Sequence, residues 1–202
     1  LKKGLRIRCG ILIELSPEGA REIDTKIGEI DDQYELVKRA GDLLMEVGAT
    51  LAVAESCTGG LLGGWITAVP GSSAYFLGGV ISYADSVKIS LLGVPPAVIR
   101  KYGAVSAECA LAMAHAVRQI VGADLAVSIT GVAGPGGGTE AKPVGTTYLA
   151  LAGPSSERVD HKVWLGDRAA NREQSARFAL QMIIEYLQGS KKLYEGFASL
   201  YK

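Results

Sequence analysis

Histidine is nearly missing from these 202 residues: His115 and His161 are the only two. Neither falls where the pattern puts the carboxyl end of a strand, so a Ser-His-Asp triad is not expected. Cysteine is scarce and odd in number, with Cys9, Cys57 and Cys109 far apart. That spacing suits neither a disulfide framework nor a zinc site, and fits a chain kept in a reducing cytosol. No His, Cys, Asp and Glu stand together at ligand spacing, so neither a metal nor a cofactor is expected. Net charge is missing too, since 21 Lys and Arg oppose 21 Asp and Glu. Without a basic excess, neither nucleic acid nor an anionic membrane is an expected partner. No apolar run has the length of a bilayer span, and no basic-apolar-small leader opens the chain. The expected setting is cytoplasmic.

What is present is apolar residue, 48% of the chain, and glycine, 26 residues. This suffices for one well-cored domain and a flanking segment. The organising stretch is Thr50 to Gly60, T-L-A-V-A-E-S-C-T-G-G. A short apolar run ends in Glu55, Ser56, Cys57 and Thr58, then two glycines and a helix-like run. This predicts a buried strand, a tight turn and a helix N-terminus. Such a turn puts a nucleophile, Ser56 or Cys57, beside free backbone N–H groups. Those groups can hold a phosphate or a developing oxyanion. The plainer reading is a buried strand with small polar residues at its exit.

Around this stretch the elements alternate. Residues 1–31 read as a hairpin or arm: Leu5 to Leu15 is strand-like, and Ser16-Pro17-Glu18-Gly19 is a turn. A remnant of a preceding domain fits them equally. Residues 32–190 form the main domain, and 191–202 a tail. Asp32 to Val47 has the period of an amphipathic helix, stopped by Gly48. A helix from about Gly60 to Val69 follows, and Gly59, Gly60, Gly63 and Gly64 suggest its close packing on a neighbour. Tyr75 to Tyr83 and Asp124 to Thr130 are further strands. Between them lie helical stretches at Asp85 to Leu92, Pro95 to Gly103 and Ser106 to Val121. A glycine loop, Gly131 to Gly138, follows, then strands at Gly145 to Leu151 and Arg158 to Leu165. Asp167 caps a last helix to about Leu187. The order predicts a three-layer α/β/α sandwich with a mixed, mostly parallel five-stranded sheet.

In such sheets ligands gather outside the strand carboxyl ends. Parallel strands would bring three polar sets to one crevice: Glu55 to Thr58; Ser82 and Tyr83 with Lys88; Ser128 and Thr130 with the glycine loop. Ser56 needs a base, and Lys88 is the candidate. A lysine base must be partly neutral near neutral pH, which takes burial or a neighbouring cation. The commoner fate of such a lysine is an exposed pair with Asp85. Tyr83 can relay a proton, or simply close the sheet edge. Cys57 is an alternative nucleophile or a buried filler. The glycine loop can approach a ligand closely or form an anion nest. It is neither a Walker loop nor a dinucleotide fingerprint. Lys142 at its end can meet a phosphate or only water. Arg168 opens a helix where a cation is unfavourable, which points to substrate binding.

The motifs A-E-S-C-T-G-G, G-S-S-A-Y-F, S-Y-A-D-S-V-K, G-A-V-S, S-I-T-G-V-A-G-P-G-G-G-T-E-A-K-P-V-G-T and G-D-R occur in this order. Together, over about Tyr34 to Gln188, they resemble the CinA C-terminal domain family. The resemblance implies hydrolysis of the carboxamide of nicotinamide mononucleotide to nicotinate mononucleotide and ammonia. It implies Ser56 as nucleophile, with Tyr83 and Lys88 at the family's tyrosine and lysine. It also implies a three-layer fold with one antiparallel strand, no metal in the amidase site, and a homodimer or higher homo-oligomer. Glu55, Cys57, Thr58, Gly59, Thr130, Gly131, Gly134, Gly136, Gly137, Lys142 and Arg168 are the expected substrate-binding residues. The N-terminal nucleotide-pyrophosphatase domain of longer members has no counterpart in these residues, so that activity is not carried over. Two other readings fit the same sequence: a non-catalytic nucleotide-binding module, and a structural subunit used in assembly.

Overall fold

The computed structural model describes residues 4–6, 12–14 and 17–200, with side chains from 32 to 189. It divides into two compact units, Leu1–Glu35 and Leu36–Lys202. In the first, β1 (Gly4–Arg6) and β2 (Leu12–Glu14) pair antiparallel, Leu5 opposite Ile13. Ile7 to Ile11, with Cys9, lie outside the described residues, as do Leu15 and Ser16 of the expected turn. Helix α1 (Pro17–Val47) starts well before the expected Asp32. Pro17 suits a first helical turn, where its missing N–H costs nothing. Ile23, Ile27 and Ile30 also stand at helical spacing, a pattern masked by the surrounding charge.

In the second unit the order is β3 (Leu51–Glu55), α2 (Leu61–Thr67), a 3-10 turn (Ser72–Ala74), β4 (Phe76–Ile81), α3 (Asp85–Ser90), α4 (Pro96–Tyr102), α5 (Ala107–Val121), β5 (Leu125–Gly131), β6 (Thr146–Ala152), β7 (Glu157–Val163) and α6 (Arg168–Leu200). The five strands form one sheet in the order β4-β3-β5-β6-β7. Strand β3 runs parallel to both neighbours, Ala54 lying between Val80 and Ser128. Only β6 is reversed, pairing antiparallel with β5 and β7.

Alternation along each strand makes the layers. Leu51, Val53, Leu125, Val127, Leu149 and Leu151 pack on one face with Leu44, Leu62, Ile66, Leu180 and Ile183 of α1, α2 and α6. Ala52, Ala54 and Ala126 meet Leu92, Cys109, Met113 and Val117 on the other. Burying each large apolar side chain is worth about 1.5–3 kcal/mol. Caps fall where the sequence puts them: Ser106 Oγ accepts from Cys109 N–H at 3.2 Å, and Asp167 Oδ1 from Ala170 N–H at 2.9 Å. The cysteines Cys57 and Cys109 are free. Among the described residues, no helix is long and apolar enough to cross a membrane.

Thr50 and Asp124 clamp the entries of β3 and β5. Asp124 Oδ2 accepts from Thr50 N–H at 2.9 Å and from Thr50 Oγ1 at 2.7 Å. Asp124 N–H returns a bond to Thr50 Oγ1 at 3.0 Å. The Thr50 hydroxyl and then its N–H hold the Asp124 carboxyl below its usual range. A depressed carboxyl stabilises the fold above its ordinary value and loses that contribution as pH falls through the depressed one. Asp124→Asn should lower Tm at pH 7 by about 2–4 °C, the scale of one net hydrogen bond. The gap to wild type should close as pH falls below about 4, as read in thermal melts.

Candidate active site

The parallel run of β4, β3 and β5 brings three strand ends together. A cavity of about 290 Å³ opens there. Its walls include Ser56 and Cys57 after β3, Tyr83, Asp85 and Lys88 after β4, and Thr130 to Gly134 at the end of β5. Lys88 is 1% exposed although it sits on a six-residue helix. Its Nζ lies 3.0 Å from Ser56 Oγ and donates to the carbonyls of Ser82 (2.9 Å) and Tyr83 (3.4 Å). Asp85 Oδ1 stands 3.7 Å away, and its side chain is largely exposed. Pairing with Asp85 is therefore real, but it is not a surface pair.

The turn after β3 can be accounted for one N–H at a time. Ser56 N–H donates to Ile129 O, Gly59 N–H to Ser56 O and Leu61 N–H to Thr58 O. The buried Glu55 carboxylate accepts from Gly60 (3.0 Å), Leu62 (3.2 Å) and Gly63 (2.8 Å). Between Ser56 and Gly63, the N–H groups that no oxygen claims are those of Cys57 and Thr58. Gly60 has φ 92°, and a Cβ there would lie 2.8 Å from Ile81 Cδ1, so only glycine closes this turn. Gly63 sits over the Glu55 carboxylate, whereas Gly64 has open space around it.

Cys57 lines the cavity, but burial pushes its thiol up to about 11; its own N–H and that of Thr58, both directed to the sulfur, oppose the rise, and the Glu55 charge adds to it. At neutral pH it is a thiol rather than a thiolate, and so a weak nucleophile. His115 pairs with Glu157 at 2.7 Å and His161 stacks on Tyr148, so neither serves Ser56. Among the described residues, no three His, Cys, Asp or Glu side chains gather as a metal site.

The expected substrate-binding residues divide. Thr130, Gly131, Gly134, Gly136, Gly137 and Arg168 line the cavity. Thr130 donates its proton to Ala104 O at 2.8 Å, so toward a ligand it can only accept. Gly134 has φ 94°, and a Cβ there would meet Val144 Cγ1 at 2.6 Å. Glu55 faces α2 instead, and Thr58 and Gly59 are not among the cavity-lining residues. Lys142 lies outside the cavity wall, its Nζ donating to Tyr102 O at 2.8 Å. The Tyr83 phenol accepts from Arg168 at 2.9 Å rather than bonding Ser56 or Lys88. Arg168 also donates to Gly134 O at 2.9 Å.

Sequence reasoning passed over Ala104 and Val105 as wall, and Asn171 and Arg172 as braces. Asn171 is buried and donates to Ala133 O at 3.1 Å. Arg172 donates to Thr58 O. Their signal is the spacing from Arg168: i+3 and i+4 share a helix face.

The CinA C-terminal domain profile matches residues 33–187. The chain belongs to this family. A CinA-like protein of Geobacter sp. is 49% identical over 173 residues, covering 84% of this chain and 42% of its own length. A CinA-like protein of Desulfotalea psychrophila is 46% identical over 176 residues, covering 86% and 43%. The chain thus spans less than half the length of these curated relatives. The solved competence/damage inducible protein CihA of Agrobacterium tumefaciens is 37% identical, with TM-score 0.75, covering 78% of this chain and 96% of that one. A CinA superfamily protein of Klebsiella pneumoniae superposes with TM-score 0.76 at 32% identity, covering 78% and 98%.

Glu55 gives this family member a testable weak point. A glutamine cannot accept from three N–H groups without turning its own NH₂ toward one of them. Glu55→Gln should cost about 2 kcal/mol, read as a fall in Tm of roughly 4–8 °C.

Proposed function

We propose that this CinA domain is an amidohydrolase that converts nicotinamide mononucleotide to nicotinate mononucleotide and ammonia through a serine nucleophile and a lysine base. The observation that carries this reading is the 3.0 Å approach of buried Lys88 Nζ to Ser56 Oγ. A neutral amine has two N–H donors and one lone pair. The Ser82 and Tyr83 carbonyls can only accept, so they take the donors. The lone pair is left for the Ser56 hydroxyl proton.

Ser56 Oγ then bonds the carboxamide carbon as its proton passes to Lys88. The carbonyl electron pair moves onto oxygen, which the Cys57 and Thr58 N–H groups stabilise; one such donor is typically worth about 3–4 kcal/mol. The pair returns, the C–N bond breaks, and Lys88 gives its proton to the departing nitrogen. Water, deprotonated by Lys88, bonds the acyl carbon; the bond from that carbon to Ser56 Oγ breaks, and Lys88 returns the proton to Oγ as the acid leaves. The glycine loop, Thr130 and Arg168 hold the nucleotide. Tyr83 acts through Arg168 in this scheme, since its phenol is bonded there.

Ammonia release from nicotinamide mononucleotide tests the reading. Wild type should release ammonia; nucleotide binding without ammonia would mean a non-catalytic nucleotide-binding module. Ser56→Ala should abolish turnover and keep binding, while Cys57→Ala keeps turnover. Lys88→Arg and Lys88→Ala should each lose about 10²–10⁴-fold in kcat, because arginine stays protonated and cannot act as base. Near-normal turnover in Lys88→Arg would reduce the lysine to a fixed charge.

A further inference from the structure

We propose that Arg172 is a positioning residue that locks the nucleophile turn, through the Thr58 carbonyl, in the form that seats Ser56 beside Lys88. The inference rests on the amidase reading for its kinetic consequence and on hydrogen bonds alone for the lock itself. Arg172 lies on the second turn of α6 and is partly buried. Its Nε and one terminal nitrogen both donate to the Thr58 carbonyl, at 3.3 and 2.7 Å.

That carbonyl is the weak point of the turn. Upstream, Ser56 N–H is tied to Ile129 O of β5. Downstream, Glu55 holds Gly60, Leu62 and Gly63. Between these anchors, Arg172 apart, the Thr58–Gly59 peptide is held by the bonds of Gly59 N–H to Ser56 O (3.0 Å) and Leu61 N–H to Thr58 O (3.3 Å). Two successive glycines with φ 61° and 92° follow it, and glycine offers little steric resistance to a peptide flip. A flip would break both bonds, freeing the Ser56 carbonyl from Gly59 N–H and loosening the backbone that seats the Ser56 hydroxyl beside Lys88. A guanidinium fixed on the Thr58 oxygen opposes this, since the carbonyl would have to leave a charge-assisted bond. Arg172 does not line the cavity, so it acts on the reaction only through the turn.

The test compares wild type with Arg172→Ala and the milder Arg172→Gln, in two arms. Amide hydrogen exchange of the folded proteins reads the lock directly. Exchange at Gly59 and Leu61 should rise at least about tenfold in the variants, while core β5 amides stay protected. Unchanged exchange at Gly59 and Leu61 overturns the proposal. Steady-state kinetics with nicotinamide mononucleotide reads the consequence. The expected result is a kcat about 100-fold lower with KM within about twofold, and partial recovery of Arg172→Ala by added methylguanidinium. A raised KM at unchanged kcat would overturn the proposal, because Arg172 would then be binding substrate. If wild type releases no ammonia, the amidase reading falls, and the exchange arm still decides the lock.

Discussion

A lysine amine stays buried only if each of its polar directions is answered. Lys88 meets this condition with two backbone carbonyls and the Ser56 hydroxyl, at the crossing of two strand ends. The rest of the second unit can be read as what this arrangement requires. The carbonyls of Ser82 and Tyr83 face the amine because β4 ends there, parallel to β3 and in register with it. Ser56 is presented because β3 stops at Glu55, whose carboxylate turns the chain into α2. A shift of either strand by one residue would send the side chains to the other face of the sheet.

A second set of bonds comes from the start of α6. Arg168 holds Tyr83 and the Gly134 carbonyl, Asn171 holds the Ala133 carbonyl, and Arg172 holds the Thr58 carbonyl. One helical face thus reaches the tyrosine, the glycine loop and the nucleophile turn. Two of its members are guanidiniums near a helix N-terminus, where the helix dipole disfavours them by a few tenths of a kcal/mol. Their bonds to oxygens offset that cost. The glycine loop is rich in residues with little conformational restraint, so its shape depends on these external donors.

Much of this fold was legible in the chain. Alternation marked the strands, and Ser106, Asp167 and Gly48 marked helix ends, because caps and turns act over a few residues. Boundaries were less legible. Charge around Ile23, Ile27 and Ile30 masked the early start of α1, and α6 runs past the expected Leu187 to Leu200. Gly64 was expected in a close contact and faces open space, since a glycine pair does not say which member faces the neighbour.

The sequence by itself determined the site's chemical stock: the polar exits of three strands, a serine turn, a lysine six residues past Ser82, a glycine loop and the family motifs. Local hydrogen-bonding rules and the 2.0 and 3.6 periods are written in neighbouring residues, so these could be read directly. Only the tertiary structure decided how that stock is used. It aimed Lys88 inward at Ser56 and only distantly at Asp85, turned Glu55 to α2, directed the Tyr83 phenol to Arg168 and led Lys142 away to Tyr102. Arg172 meets Thr58 across 114 residues of chain. Such contacts depend on strand order, direction and helix rotation together, and no short window of sequence carries all three.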